Sequence, residues 1–457
     1  MGSSRIAIHA QAGVVLLTAL AITGCLQPAR KRTVVETQLV NPEPTGAPTP
    51  TSTATPPPVV QPLAITPATA TVALGGSITF AASGGTPPYA FTSSGTESVS
   101  TAGLLRPGTA SGARDITVRD SKGLSAVAKL TITVPAARTP NDPMLSQQAS
   151  LFKATNDIDA VGAWGISTNC KAKIVAVLDT GIDLNHPDLM ANIWVNPAPT
   201  RGDSRGWNFV GDNGDATDQN YHGTHVAGTI GAVGNNGQGV SGVCWQANIL
   251  PIKFLDEDGG GTVSDAVAAI DYAVSVGAKI LSNSWGVPTD SQALRDAIQR
   301  ANTQGALFVV ASGNGNAQGV GFNIDTTPAP PASFDYPNIV AVGAVNNSDV
   351  LAAFSNFGVA RVHLAAPGVS VLSTYPSFRT AYMVINNETY TPYERLNGTS
   401  MATPHVAAAI ALLWSSQPGL TAAQVKARVL AQADKLPGLA ARIMGGNRLN
   451  VKRLLVD

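Results

Sequence analysis

Residues 174–181 read Ile174-Val175-Ala176-Val177-Leu178-Asp179-Thr180-Gly181. An unbroken apolar run of this length, rich in β-branched residues, predicts a strand buried on both faces, as in parallel sheets covered by helices. The carboxylate that closes it then stands at the carboxyl edge of the sheet, where open α/β sheets build their sites. Comparable runs recur at 248–254, 279–283, 307–311, 339–345 and 362–365. Helix-like stretches separate them, and the alternation predicts an α/β fold with a parallel sheet and helices on both faces.

Two more segments complete a chemical set. His222-Gly223-Thr224-His225-Val226-Ala227-Gly228 opens a run of small and apolar residues through Gly234 that predicts a closely packed helix beginning at His222. Gly398-Thr399-Ser400-Met401-Ala402-Thr403-Pro404-His405 opens an apolar helical run through Trp414, in which Pro404 is expected within the first turn, the place a helix tolerates it. A serine hydroxyl attacks a carbonyl only when a base takes its proton, and that base must be held in one tautomer and orientation. Each segment alone has another reading: a strand exit, a packed or metal-binding histidine pair, a loop. Together, in the order Asp179, His222, Ser400, they supply carboxylate, base and nucleophile, with the hydroxyl at a positive helix end.

On these motifs residues 141–457 resemble the subtilisin-like serine proteases, the subtilase family. The resemblance implies a parallel seven-stranded sheet, Ser400 as nucleophile, His222 as general base and later acid, Asp179 as the orienting carboxylate, and His225 as a structural neighbour. It also implies that Asn314, in Val309-Val310-Ala311-Ser312-Gly313-Asn314, lends its amide to the oxyanion hole beside the Ser400 amide; a turn residue after a strand is the alternative. Ser284-Trp285-Gly286 resembles the segment that pairs with an extended peptide and walls the first specificity pocket, with Ala311-Ser312-Gly313 opposite. Small residues on both walls suit medium or large apolar side chains. Trp285 stands where many relatives carry leucine.

Hard oxygen ligands suited to structural calcium occur in two places. Asp212, Asp215 and Asp218 recur every three residues in a glycine-rich loop, with a solvated acidic loop as the alternative; Asp142, Asp188 and the loop containing Asn236 match, by resemblance, pieces of a subtilase calcium site. No organic cofactor is expected.

The amino-terminal part differs in kind. Arg5, the apolar run from Val14 to Ile22 and then Thr23-Gly24-Cys25 read as an export signal too short to span a bilayer. Ile22-Thr23-Gly24-Cys25 resembles the bacterial lipobox, so residues 1–24 form a lipoprotein signal peptide and Cys25 carries the lipid; an ordinary secretory signal is the alternative. Residues 25–62, rich in Pro, Thr and Ala, predict an extended linker. Short alternating runs over 63–135, punctuated by Gly75-Gly76, Gly84-Gly85 and Pro87-Pro88, predict a small all-β immunoglobulin-like sandwich. That segment does not resemble the propeptide many subtilases carry.

Cys170 and Cys244 form an even pair in an exported protein, and in the family fold their strands are neighbours; two buried free thiols are the alternative. Only 13% of residues are charged and the formal net charge is +0, which argues against a nucleic-acid surface. The expectation is an exported endopeptidase of the bacterial envelope, lipid-anchored to the membrane, monomeric and acting on polypeptides. An inactive subtilase-fold adhesion or scaffolding lipoprotein is the alternative.

Overall fold

The computed structural model describes residues 61–107, 110–153, 155–377 and 392–456. Cys25, the signal peptide 1–24 and nearly all of the linker 25–62 lie outside the described residues.

The predicted strands assemble into one sheet. In chain order its members are β1 (Asn169–Asp179), β2 (Trp207–Asn208), β3 (Gln246–Lys253), β4 (Ile280–Asn283), β5 (Leu307–Ala311), β6 (Ile339–Val345), β7 (Leu364–Pro367), β8 (Asp434–Lys435) and β9 (Asn447–Arg448). Their order in space is β2-β3-β1-β4-β5-β6-β7-β9-β8. Neighbours from β2 to β7 are all parallel, which matches the seven strands expected. A single pair joins β7 to β9, and β8 closes that edge antiparallel. Strands β2, β8 and β9 have two residues each, too few for a periodic signal in the sequence.

The apolar runs are continuous because both faces are covered. Val175, Val177, Leu307 and Val309 enter one core cluster, whereas Ala176, Leu178, Phe308 and Val310 enter the other. Helices α1 (His222–Gly231) and α4 (Thr399–Ser416) supply the first face, and α2 (Val263–Ser275) and α3 (Gln292–Thr303) the second. Helices α2 and α3 are amphipathic and capped by Thr262 and Ser291, whose side chains accept from the Asp265 and Leu294 amides. Helix α4 is buried from Thr399 to Trp414, so it carries no polar face.

One local expectation is corrected. Pro404 is the sixth residue of α4, in its second turn, so it donates no hydrogen bond to the carbonyl of Ser400 four residues earlier. Ser284 Oγ supplies that bond instead, at 2.9 Å. A proline that would ordinarily break the helix is accommodated by a side chain from the segment after β4.

Cys170 on β1 and Cys244 just before β3 form a disulfide with Cα atoms 5.8 Å apart, across strands that pair in parallel. It closes a separation of 74 residues at the amino ends of the strands, opposite the edge that carries Asp179.

Residues 64–133 form an all-β region. Its four-stranded sheet runs Thr69–Ala73, Ser125–Thr133, Gly112–Arg119, Ala90–Ser93, beside two-stranded pairs Ala64–Thr66 with Ala81–Ser83 and Ile78–Thr79 with Leu104–Leu105. Pro67 divides the run from Ile65 to Val72, and the halves join different sheets. Phe80, Leu105, Ile116, Val118, Leu130 and Ile132 fill the interior, and Val456 from the last helix, Val451–Val456, packs against it.

Candidate active site

Every candidate residue of the peptidase chemistry lies at or beyond the carboxyl end of a strand, or on a helix that begins there. Asp179 ends β1, Ser284 follows β4, and Asn314 follows β5. Asp179 is 1% exposed, and a buried carboxylate costs several kcal/mol unless it is paired. His222, the first residue of α1, is its partner: Nδ1 lies 2.7 Å from Asp179 Oδ1, which also accepts from the Thr180 amide at 2.8 Å.

That approach needs two elements pressed together. A Cβ on Gly223 would lie 2.1 Å from the Gly181 carbonyl oxygen, so only glycine allows α1 to start there. Asp218 fastens the contact. Its carboxylate accepts from Thr180 Oγ1 (2.9 Å), Thr224 N–H (3.0 Å), Thr224 Oγ1 (2.6 Å) and Asn220 N–H (2.9 Å). It thereby ties the turn after β1 to the first turn of α1, whose Ncap residue, Tyr221, makes no side-chain cap. Lys253, fully buried at the end of β3, donates to the carbonyls of Thr180 (2.9 Å) and Leu255 (2.8 Å) on the other side of the same turn.

This placement corrects the reading of Asp212, Asp215 and Asp218 as one calcium loop. Asp218 is 0% exposed and points inward, whereas Asp212 and Asp215 are exposed. Among the described residues no group of three or more His, Cys, Asp or Glu side chains is arranged to hold a metal ion. A spacing of three would align carboxylates on a helix, but this segment is an irregular loop, where spacing carries no facing information.

The second set does come together. Asp142 accepts from the amides of Asn235 (2.8 Å) and Asn236 (3.1 Å); Asp188 accepts from Asn236 Nδ2 (2.7 Å) and the Val240 amide (3.0 Å). Burial pushes the Asp188 carboxyl up to about 6, with the charge of Asp142 adding to it, and burial raises Asp142 as well. Two buried carboxylates with an asparagine side chain form a donor set suited to a hard cation.

Withdrawal from water alone would push the His222 pKa down. The charge of Asp179, its hydrogen bond and the charge of Asp218 outweigh this and raise it above the ordinary imidazole value. The other described histidines go the opposite way. Burial lowers His225 and His363 to about 3 and His405 to about 4, and it lowers His186 too. His225 Nε2 lies 3.0 Å from the Val371 carbonyl and 3.1 Å from that of Glu394, so it fastens α1 to the antiparallel pair Val371–Thr374 and Tyr393–Leu396.

Ser400 is the second residue of α4 and 8% exposed; its hydroxyl donates to the Ser284 carbonyl at 3.1 Å. Asn314 Oδ1 accepts from both the Thr399 amide and Thr399 Oγ1 at 2.9 Å. With its oxygen so occupied, the exposed Asn314 side chain presents its NH2 group beside the amino end of α4. Ser284-Trp285-Gly286 and Ala311-Ser312-Gly313 leave β4 and β5, neighbours in the sheet. Trp285 is half-buried and packs edge-on against Phe254 (5.0 Å) and Phe308 (6.2 Å), which anchors that wall in the core below. Reasoning from sequence missed Asp218, Lys253 and Thr399 as parts of this site. A buried lysine beside two carboxylates leaves no pattern in a chain, whereas Thr399 is adjacent to the quoted serine.

A family model described as the subtilase family matches residues 171–447. A thermophilic serine proteinase from a Bacillus species is 37% identical over 303 residues, 66% of this chain and 66% of that protein. Thermitase of Thermoactinomyces vulgaris is 36% identical over 300 residues, 66% of this chain and 93% of that protein. Subtilisin DY of Bacillus licheniformis is 40% identical over 57% of this chain and 84% of its own length. A solved structure of proteases from Pseudoalteromonas arctica superposes with a TM-score of 0.57 at 29% identity, covering 69% of this chain and 98% of that one. A cold-adapted subtilisin-like serine proteinase gives 0.51 at 29%, over 62% and 90%. The chain belongs to the subtilase family, the subtilisin-like serine endopeptidases.

Proposed function

We propose that this endopeptidase is exported and lipid-anchored, and that it cuts extended segments of polypeptides with Ser400 as nucleophile, His222 as base and acid, and Asp179 as the group that orients the imidazole. The observation that carries the reading is the 2.7 Å contact between His222 and Asp179. Nδ1 donates to the carboxylate, which leaves the Nε2 lone pair to take a proton. At rest the Ser400 hydroxyl is held by Ser284, so it turns toward Nε2 as Oγ bonds to the substrate carbonyl carbon. The carbonyl oxygen becomes an oxyanion stabilised by the Ser400 amide and the NH2 group of Asn314. His222 then returns the proton to the departing amine, leaving an acyl-enzyme; water repeats the sequence and frees the acid. Ser284-Trp285-Gly286 pairs with the substrate backbone and, with Ala311-Ser312-Gly313, receives a medium or large apolar side chain.

Ile22-Thr23-Gly24-Cys25 supports the anchor. Diacylglycerol with an amide-linked acid holds a protein at a membrane far more firmly than one chain does. Leu26 follows where an aspartate would resemble an inner-membrane retention signal, which in a two-membrane bacterium favours the outer membrane. Residues 25–62 then serve as a stalk and the β-rich residues 63–135 as an immunoglobulin-like spacer, with the enzyme a monomer. Calcium would be held by Asp142, Asp188 and Asn236, where its charge offsets two buried carboxylates.

Serine-directed phosphonyl fluoride should inactivate the enzyme with the label on Ser400, and Ser400→Ala should abolish peptide hydrolysis; undiminished turnover by that variant sinks the mechanism. Because only neutral His222 acts as base, kcat/KM should fall as pH drops through its raised pKa, with a midpoint above the ordinary 6.5. Asp218→Asn removes a charge that stabilises the imidazolium, so the midpoint should move to lower pH; an unmoved midpoint contradicts the electrostatic assignment. Chelation should lower the thermal midpoint and calcium should restore it. Asp188→Asn should remove that response and Asp215→Ala should leave it intact, and the reverse pattern would return the site to the exposed loop. Cys25→Ser should release the protein into the soluble fraction or stall its maturation, whereas normal maturation and membrane fractionation would remove lipid from the account.

A further inference from the structure

Asn314 sits on an exposed turn between two glycines, Gly313 and Gly315, a backbone with little intrinsic stiffness. Thr399 holds its side chain from the α4 side. The backbone on either side is held by a residue more than forty positions along the chain.

Asn356 is 2% exposed, and its side chain and main chain grip this turn. Nδ2 donates to the Ser312 carbonyl at 3.0 Å, while Oδ1 accepts from the amides of Gly315 and Phe322, both at 3.1 Å. Its own amide donates to the Gly313 carbonyl at 2.9 Å, and its carbonyl accepts from Ser312 Oγ at 2.9 Å. Gly313 has φ +101°, and a Cβ there would lie 2.5 Å from Asn356 Nδ2, so clamp and turn are in direct contact. The task needs a donor and an acceptor on one short side chain. Aspartate would set an oxygen against the Ser312 carbonyl, and alanine offers neither function.

We propose that Asn356 is a positioning residue for the oxyanion hole: by holding residues 312–315 on both sides of Asn314 it aims that residue's NH2 group at the developing oxyanion. It touches no substrate and acts through Asn314, so the proposal rests on the oxyanion reading of Asn314 given above. Preorganised donors stabilise a transition state only when they already point at the charge that forms, and a misplacement of about 1 Å can cost roughly a hundredfold.

The test is a double-mutant cycle on the full chain, with wild type, Asn356→Ala, Asn314→Ala and the double variant each normalised by active-site titration with phosphonyl fluoride. Asn314→Ala should lower kcat on a peptide anilide by about a hundred- to a thousandfold. Asn356→Ala should lower it by at least about tenfold with KM within about twofold, and weaken a peptide boronic acid, a tetrahedral mimic, by the same factor. In the Asn314→Ala background the same change should cost less than about twofold. An equal cost in both backgrounds, or a kcat within twofold of wild type, overturns the proposal and leaves the oxyanion reading standing. An unaffected kcat in Asn314→Ala brings both down together. If Asn356→Ala yields no titratable sites, Asn356→Asp, which keeps acceptors for Gly315 and Phe322, should show an intermediate loss with the same non-additivity, and an additive loss would overturn the proposal.

Discussion

A carboxylate at the end of a strand covered on both faces must be compensated, and much of the site's structure answers that requirement. Asp179 is delivered to the edge of a water-poor layer, where an unpaired charge costs several kcal/mol. His222 and the Thr180 amide both bond its Oδ1, the cation of Lys253 interacts with it electrostatically, and the buried Oδ2 has no hydrogen-bond partner among the described residues. In the proposed mechanism compensation and catalysis coincide, because an imidazole that donates Nδ1–H to the carboxylate keeps its other nitrogen free to act as a base.

The charges around this turn form a balanced set. Asp218 would itself be a liability in the interior, since burial raises its pKa, yet it accepts from two threonines and two backbone amides and draws α1 against the turn after β1. Lys253 loses proton affinity through burial, and Asp218, Asp256, Asp179 and Glu257 oppose that loss. Ser284 has a similar double use: its hydroxyl repairs the bond that Pro404 cannot make, and its carbonyl accepts from the Ser400 hydroxyl.

What the chain disclosed in advance was whatever depends on local pattern. Strands Leu307–Ala311 and Ile339–Val345 end where their apolar runs end, because both faces are covered and nothing polar interrupts them. The positions of Asp179, His222 and Ser400 in the fold are legible because each sits at a boundary between a periodic segment and a turn. Pairings made by topology were not legible. Asp218 reads in the sequence as one of three loop carboxylates, because spacing says nothing about direction in irregular backbone, and nothing local to Asn356 marks its bonds to a turn more than forty residues earlier. The second-turn position of Pro404 is not legible because its compensating partner, Ser284, comes from the segment after β4.

The proton between His222 Nδ1 and Asp179 Oδ1, 2.7 Å apart at the edge of the sheet, is observed directly by proton NMR in the far-downfield region. A single downfield resonance, titrating with a midpoint above 6.5, unaffected by Ser400→Ala and lost in Asp179→Asn, is the predicted result. A spectrum without that resonance, or one in which it survives in Asp179→Asn, would contradict the claim that this pair organises the site.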